Sequence, residues 1–90
     1  MKWAKLAETY TFSDTHTDGW TFNGGVIKYE SGNIMISGTI KSFEGDWLGQ
    51  FIYDKPLDKD VNITYDVEEE YRELLIDYTN TVVNFVYEHI

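Results

Sequence analysis

The sequence predicts an α+β fold: an antiparallel four- to five-stranded sheet, arranged as a meander and packed by one long C-terminal α-helix. Apolar residues recur at every second position through the first half of the chain, which is typical of half-buried strands. Short Gly-containing segments separate these runs and predict hairpin turns. From residue 66 the apolar period becomes helical, and no Gly or Pro follows. We therefore expect a single domain over residues 1–90, with a sheet region in 1–65 and a helix in 66–90.

The first predicted strand is Ala7–Ser13, where aromatic residues alternate with Thr and Ser. Asp18-Gly19 then predicts a hairpin turn, because Gly adopts the positive φ that such turns require. The alternation resumes at Trp20–Phe22. Asn23–Gly25 breaks it, which predicts a second turn or a bulge.

Further strands are predicted at Val26–Glu30, Asn33–Ser42 and Trp47–Tyr53. Ser31-Gly32 and the turn residues Glu44–Asp46 connect them. Connections this short favour pairing between sequence neighbours, hence a meander. After a loop that contains the single proline, Pro56, the alternation of Val61–Tyr65 predicts a short edge strand.

The helix is predicted to begin at Asp66, an N-cap residue that forms a capping box with Glu69. One broad apolar stripe should cover the sheet: Val67, Tyr71, Leu74, Leu75, Tyr78, Val82, Phe85, Val86 and His89. A separate apolar flank contains Ile76, Val83, Tyr87 and Ile90. Polar residues, many of them acidic, occupy the remaining side of the helix.

The chain carries 16 acidic residues against 7 Lys and Arg, a formal net charge of −9. Most of the imbalance lies after residue 53. Such a surface is unsuited to direct contact with nucleic acid or anionic membranes, because both are bound through Lys and Arg. The absence of Cys excludes disulfides and thiolate metal sites. No secretory signal or membrane span is recognisable, so we expect a cytoplasmic protein, in the host cytoplasm if a phage encodes it.

No catalytic motif is present, and we expect no enzymatic activity, cofactor or metal. The alternation in Asp14–Gly19 resembles part of a calcium loop, but His16 is a poor ligand for a hard cation and Gly25 stands where a bidentate Glu would be. An ordinary turn is the favoured interpretation there and at Glu44–Asp46. A small hydrolase or metal protein built on His16 and the nearby Asp residues is an alternative hypothesis. His89 is expected to cap the helix.

The acidic residues of the helix predict a binding surface. Glu69, Glu73 and Asp77 are spaced i, i+4 and i+8, so their carboxylates would form a line at intervals of about 6 Å. This line partly imitates a phosphate backbone. The residues expected to contact a partner are Asp66, Glu69, Glu70, Glu73 and Asp77 on the helix, Asp58 and Asp60 in a loop, and Trp47 and Tyr87 as aromatic anchors.

In size, acidity and lack of cysteine or catalytic motif, the chain resembles phage and mobile-element inhibitors such as anti-CRISPR proteins and DNA mimics. The resemblance implies a non-enzymatic inhibitor that occupies a basic surface of a nucleic-acid-binding protein. No motif is shared, so no residue role is transferred.

Two alternatives remain. The chain could form a homodimer through an uncovered aromatic sheet face or the flank Ile76, Val83, Tyr87 and Ile90. The acidic strip could also serve only solubility.

Overall fold

The computed structural model describes residues 2–6, 9–15, 18–56 and 58–89. These form one antiparallel sheet and a C-terminal helix: β1 (Lys2–Leu6), β2 (Thr9–Thr15), β3 (Thr21–Lys28), β4 (Ile34–Lys41), β5 (Trp47–Lys55), β6 (Asn62–Val67), a 3₁₀ turn (Glu69–Tyr71) and α1 (Arg72–His89). The strand order in the sheet is the order in the chain. The predicted α+β meander with its packed helix is therefore confirmed. Among the described residues, no helix has the length and apolar character to cross a membrane.

The sheet has six strands because β1 adds one that the sequence pattern does not predict. Its pairing runs from Lys2 opposite Ser13 to Leu6 opposite Thr9. Trp3 anchors it: its ring stacks on Tyr10 at 4.8 Å between centroids. Residues 2–6 lack period-two alternation, so ladder hydrogen bonds and the ring contacts of Trp3 with Tyr10, Phe85 and His89 stabilise β1 instead of a patterned face.

Asn23–Gly25 is neither the turn nor the bulge that the sequence suggests. β3 continues through it in unbroken register with β2 and β4. Phe12, Gly24, Gly38 and Phe51 lie side by side in one row across four strands. A Cβ on Gly24 would collide with the Ser37 carbonyl oxygen and with the Phe12 ring, and one on Gly38 would lie 2.5 Å from the Phe51 ring. The two glycines therefore provide the space into which the rings pack.

The register irregularity lies elsewhere, between β4 and β5. Ile40 pairs with Gly49 while Lys41 pairs with Trp47, so Leu48 is the extra residue. Leu48 packs against the core. A bulge of this kind increases the local twist and re-aims the neighbouring side chains.

The core lies between one face of the sheet and α1. Its buried apolar residues are Phe12, Phe22, Val26, Ile36, Ile40, Phe51, Tyr53, Leu75, Val82 and Val86. Thr79, which was absent from the predicted stripe, is also fully buried, and its hydroxyl donates to the Leu75 carbonyl at 2.7 Å. His89, placed on the stripe by the periodicity, is exposed. Its Nδ1 lies 2.8 Å from the Phe85 carbonyl, so the predicted capping contact is confirmed.

The predicted helix start is wrong. Asp66 belongs to β6, where it pairs with Gln50, and it is not an N-cap. The 3₁₀ turn begins at Glu69, its N-cap Glu68 makes no side-chain capping bond, and α1 starts only at Arg72. Strand pairing up to Val67, opposite Gly49, outweighs the local capping signal.

Among the described side chains, the face of the sheet away from α1 is mostly polar, although Ile27, Met35 and Ile52 lie on it, and it lacks the row of aromatic rings that one of the alternatives from the sequence requires. It presents hydroxyl and amide side chains in adjacent strands, among them Thr11, Ser13, Asn23, Ser37, Thr39, Gln50 and Thr64. Trp3 and Trp20 pack against the core, whereas Trp47 is 48% exposed. Period-two alternation sends the aromatic residues to the side that the helix covers.

Candidate interaction surface at the acidic end of the sheet

Three connections converge at the end of the sheet where the helix begins: those between β2 and β3, β4 and β5, and β6 and α1. Two contacts hold them together. The Trp20 ring meets Tyr71 of the 3₁₀ turn edge-on, with 5.1 Å between centroids. The Phe43 ring packs against Gly19, 3.3 Å from the position that a Cβ would occupy there. These contacts bring loops that are distant in sequence into one surface.

This end, which we call the acidic end, carries nine described carboxylates: Asp14, Asp18, Glu44, Asp46, Asp66, Glu68, Glu69, Glu70 and Glu73. The described basic side chains there are Lys41 and Arg72. Asp77 follows one turn after Glu73 on the exposed side of α1. The fold therefore gathers at one end acidic residues that come from both halves of the sequence. Asp14, Asp18, Glu44 and Glu68 belong to the acidic end, although they are not among the residues predicted from the sequence to contact a partner.

The opposite end has a mixed charge. Its described charged residues are Lys28, Glu30, Asp54, Lys55, Asp58, Lys59, Asp60 and Glu88. Lys55 Nζ donates to the Pro56 carbonyl at 3.2 Å and to the Lys59 carbonyl at 2.9 Å, which folds the β5–β6 connection back on itself. Asp58 and Asp60 lie in this connection, one length of β6, about 20 Å, from the start of the helix. They are not brought together with Glu69 and Glu73.

The predicted line of carboxylates is only partly regular. Glu73 and Asp77 are exposed and one helical turn apart in α1, whereas Glu69 stands on the preceding 3₁₀ turn. Glu69, Glu70, Arg72, Glu73 and Ile76 line a shallow groove of about 270 Å³. The Arg72 guanidinium lies over the Tyr65 ring, 5.8 Å from its centroid. One cation–π contact thus orients the basic side chain of this groove.

Tyr71 connects the acidic residues to the rest of the fold. Its hydroxyl donates a hydrogen bond to the Glu70 carboxylate, and this bond, with the negative charges of Glu70 and Glu68, raises the pKa of Tyr71. Its ring contacts Trp20. The 3₁₀ turn is therefore attached to the β2–β3 connection on one side and carries its carboxylates on the other.

Two exposed aromatic residues lie among these carboxylates. Trp47 was predicted as an anchor, whereas Phe43, 82% exposed, was missed. Phe43 follows β4, where the strand pattern ends, so periodicity carries no signal for it. The hairpin is closed around it by the Ser42 N–H donating to the Asp46 carbonyl at 2.8 Å and the Gly45 N–H donating to the Ser42 carbonyl at 2.9 Å. Phe43 thereby projects from the tip of a short, well-bonded loop.

Tyr87, the second predicted anchor, is remote from Trp47. It lies near the C-terminal end of α1, 46% exposed, and its hydroxyl is 2.9 Å from that of Tyr53. Tyr53 belongs to the part of β5 near the mixed-charge end. In the same predicted flank, Val83 packs against the core and Ile76 is half-buried, while Ile90 lies outside the described residues.

Within residues 2–6, 9–15, 18–56 and 58–89, no three His, Cys, Asp or Glu side chains are grouped so as to hold a metal ion. His16 and Thr17, part of the calcium-like sequence, fall outside these ranges. No protein-family model, curated protein or solved structure matches this chain. The functional argument therefore depends on the geometry described above.

Proposed function

We propose that this protein is a non-enzymatic binding protein whose acidic end occupies a basic, nucleic-acid-binding surface of a partner protein in the cytoplasm. One observation carries the proposal: nine carboxylates lie at the same end of the sheet as the exposed rings of Phe43 and Trp47, and the described basic side chains at that end are those of Lys41 and Arg72. This combination supports an inhibitor of the DNA-mimic or anti-CRISPR kind.

The carboxylates provide attraction over distance. A surface with one sign of charge steers an oppositely charged partner and raises the association rate by a factor of 10 to 10³, in order-of-magnitude terms. At contact, Glu69, Glu70 and Glu73 would accept charge-assisted hydrogen bonds from Arg and Lys. These are the groups with which a nucleic-acid-binding surface contacts phosphates.

The aromatic rings provide the part of the interface that excludes water. Binding energy concentrates in aromatic or Arg residues at the centre of an interface, within a polar rim. Phe43 and Trp47 have this arrangement, because Glu44 and Asp46 lie between them in sequence and the helix acids lie at the same end of the sheet. The rings would therefore provide most of the binding energy, and the carboxylates would increase the association rate.

The test compares two triple variants with the same change of charge. E69Q/E70Q/E73Q neutralises the acidic end, and E30Q/D58N/D60N neutralises exposed carboxylates at the other end. Proteins retained from the source cell's lysate on the immobilised wild type would be identified and purified. Association rates of each would then be measured at low and moderate salt, with and without duplex DNA as competitor.

We expect the retained partner to be a nucleic-acid-binding protein that DNA displaces. E69Q/E70Q/E73Q should slow association about tenfold or more at low salt, whereas E30Q/D58N/D60N should leave the rate nearly unchanged. Equal effects of the two variants would contradict the proposal, as would a rate that is indifferent to salt.

A further inference from the structure

The free edge of β6 is an unprotected pairing surface. β6 is the last strand of the sheet, and Asn62, Ile63, Thr64 and Asp66 are exposed. Its register with β5 is regular over six residue pairs, without a bulge. The strand contains no Pro and no Lys, the residues with which proteins commonly protect an edge. Its composition is rich in β-branched and aromatic residues, which favour a further strand pairing.

We propose that β6 pairs antiparallel with β6 of a second copy of this chain, about a two-fold axis at Thr64, and so joins two sheets into one of twelve strands. In this register Ile63 stands opposite Tyr65 of the second copy, and Asn62 opposite Asp66. Thr64 stands opposite itself. An isologous interface of this kind closes on itself and stops at the dimer.

The side chains of β6 are complementary to themselves in this arrangement. Ile63 and Tyr65 lie on the helix-covered side, since they pair with Tyr53 and Phe51 of β5. Ile63 is 38% exposed, and its apolar surface would be covered by Tyr65 of the second copy. On the other face, the single charged residue of the strand, Asp66, meets an amide that can donate a hydrogen bond to it.

The net charge of −9 opposes self-association, so the orientation of the two copies decides how much repulsion the pairing must overcome. Antiparallel pairing directs the two acidic ends away from each other, separated by about the length of β6, roughly 20 Å. This exceeds the Debye length of about 8 Å at physiological ionic strength, so most of the repulsion is screened. In the proposed register Asp60 meets Glu68 only beyond the ends of the paired strands, whereas a register shifted by two residues toward the loop would set Asp60 directly against Asp66 and is disfavoured.

The chain has no cysteine, which permits a direct test of this register. Residues directly opposite in antiparallel strands have Cα atoms about 4.5–5.5 Å apart, within the range of a disulfide. Thr64→Cys should therefore form a covalent dimer under mild oxidation. Thr11→Cys, which is also exposed on the same face but lies in β2, is the matched control and should remain monomeric.

A non-covalent test uses Thr64→Lys, which sets two ammonium groups opposite each other. Analytical ultracentrifugation of the wild type should show a mass that rises with concentration toward twice 10.5 kDa. Thr64→Lys should stay monomeric even though it reduces the net negative charge, whereas Thr11→Lys, with the same charge change, should dimerise. Circular dichroism would verify that each variant is folded.

A wild type that is monomeric at every attainable concentration would overturn the proposal. So would a dimer that Thr64→Lys leaves intact, or a Thr64→Cys variant that cross-links no faster than Thr11→Cys. None of these outcomes bears on the acidic end, since its test measures association with another protein.

Discussion

The two faces of the sheet are built by the same strands and differ in almost every physical respect. The face under α1 holds the buried core, including Phe12, Phe51 and Ile36, with Gly24 and Gly38 making room for the rings. The open face carries hydroxyls and amides and few large apolar groups. The difference indicates that the fold depends on one face and the helix. The open face, the free edge and the acidic end can then change with little effect on stability.

Neighbouring residues of β5 provide the largest test of this contrast. Phe51 is 1% exposed under the helix, and Ile52 is 38% exposed on the open face. Phe51→Ala should lower the free energy of unfolding by about 3–5 kcal/mol, because it opens a cavity in the core. Ile52→Ala should cost less than about 1 kcal/mol. Urea denaturation measures both, and similar losses would refute the proposed division between the faces.

Substitution of two glycines tests the same contrast by adding a methyl group instead of removing side-chain volume. Gly38→Ala places a methyl group against the Phe51 ring and should destabilise the fold by about 1–3 kcal/mol. Gly25→Ala, on the open face, meets only the Tyr10 carbonyl, at 3.3 Å. Its effect should be below about 1 kcal/mol. Thermal unfolding of the pair is the measurement, and a milder effect at Gly38 than at Gly25 would argue against the row of rings and glycines.

Alkaline pH should lower the free energy of unfolding through two tyrosines under the covered face. Burial raises the pKa of Tyr53 and Tyr78 above the ordinary value of 10.0, and the hydrogen bond between the Tyr53 and Tyr87 hydroxyls raises that of Tyr53 further. The unfolded chain then ionises first, so stability is constant below about pH 10 and falls as pH rises above it. Each tyrosine contributes up to about 1.4 kcal/mol per pH unit. Denaturation at pH 9 and pH 11 should show a smaller loss in Tyr78→Phe than in the wild type; an equal loss would be inconsistent with its burial.

The smallest expected effect is on stability at neutral pH, when the hydroxyl of Tyr53 or of Tyr78 under the covered face is removed. The Tyr53 hydroxyl is bonded to Tyr87 at 2.9 Å, whereas the Tyr78 hydroxyl is buried with no hydrogen-bond partner among the described residues. At neutral pH, Tyr53→Phe should cost about 0.5–1.5 kcal/mol, and Tyr78→Phe should be neutral or stabilising. Chemical denaturation resolves the sign. A greater loss for Tyr78→Phe would show that its hydroxyl is satisfied.

The sequence predicts the parts of this fold that local chemistry determines. Hairpins at Gly19, Gly32 and Gly45 were expected, and all three glycines have the positive φ of such turns, at 89°, 96° and 93°. Strands β2 to β5 were predicted from alternation, as was β6 from the edge strand expected at Val61–Tyr65, although the break at Asn23–Gly25 was misread. Gly24 is required there by the close approach of the Ser37 backbone and the Phe12 ring from the neighbouring strands, a cause that no local pattern contains.

What the sequence could not predict depends on distant contacts. β1 forms because β2 and Trp3 hold it, and Asp66 joins a strand because Gln50 lies opposite. The candidate surface changed for the same reason. Asp58 and Asp60 were grouped with the helix acids by proximity along the chain, whereas strand topology places them at the other end. Asp18 and Phe43 joined the surface because three connections meet in space.

The environments of the three tryptophans allow binding at the acidic end to be followed by intrinsic fluorescence. Trp3 is stacked on Tyr10, Trp20 is wedged against Tyr71, and Trp47 stands half in solvent at the acidic end. A chain in which Trp3 and Trp20 are replaced by Phe would emit from Trp47 alone. Covering that ring with a partner removes it from water and shifts its emission to shorter wavelength. The emission wavelength of Trp47 would then measure binding at the acidic end without an attached dye.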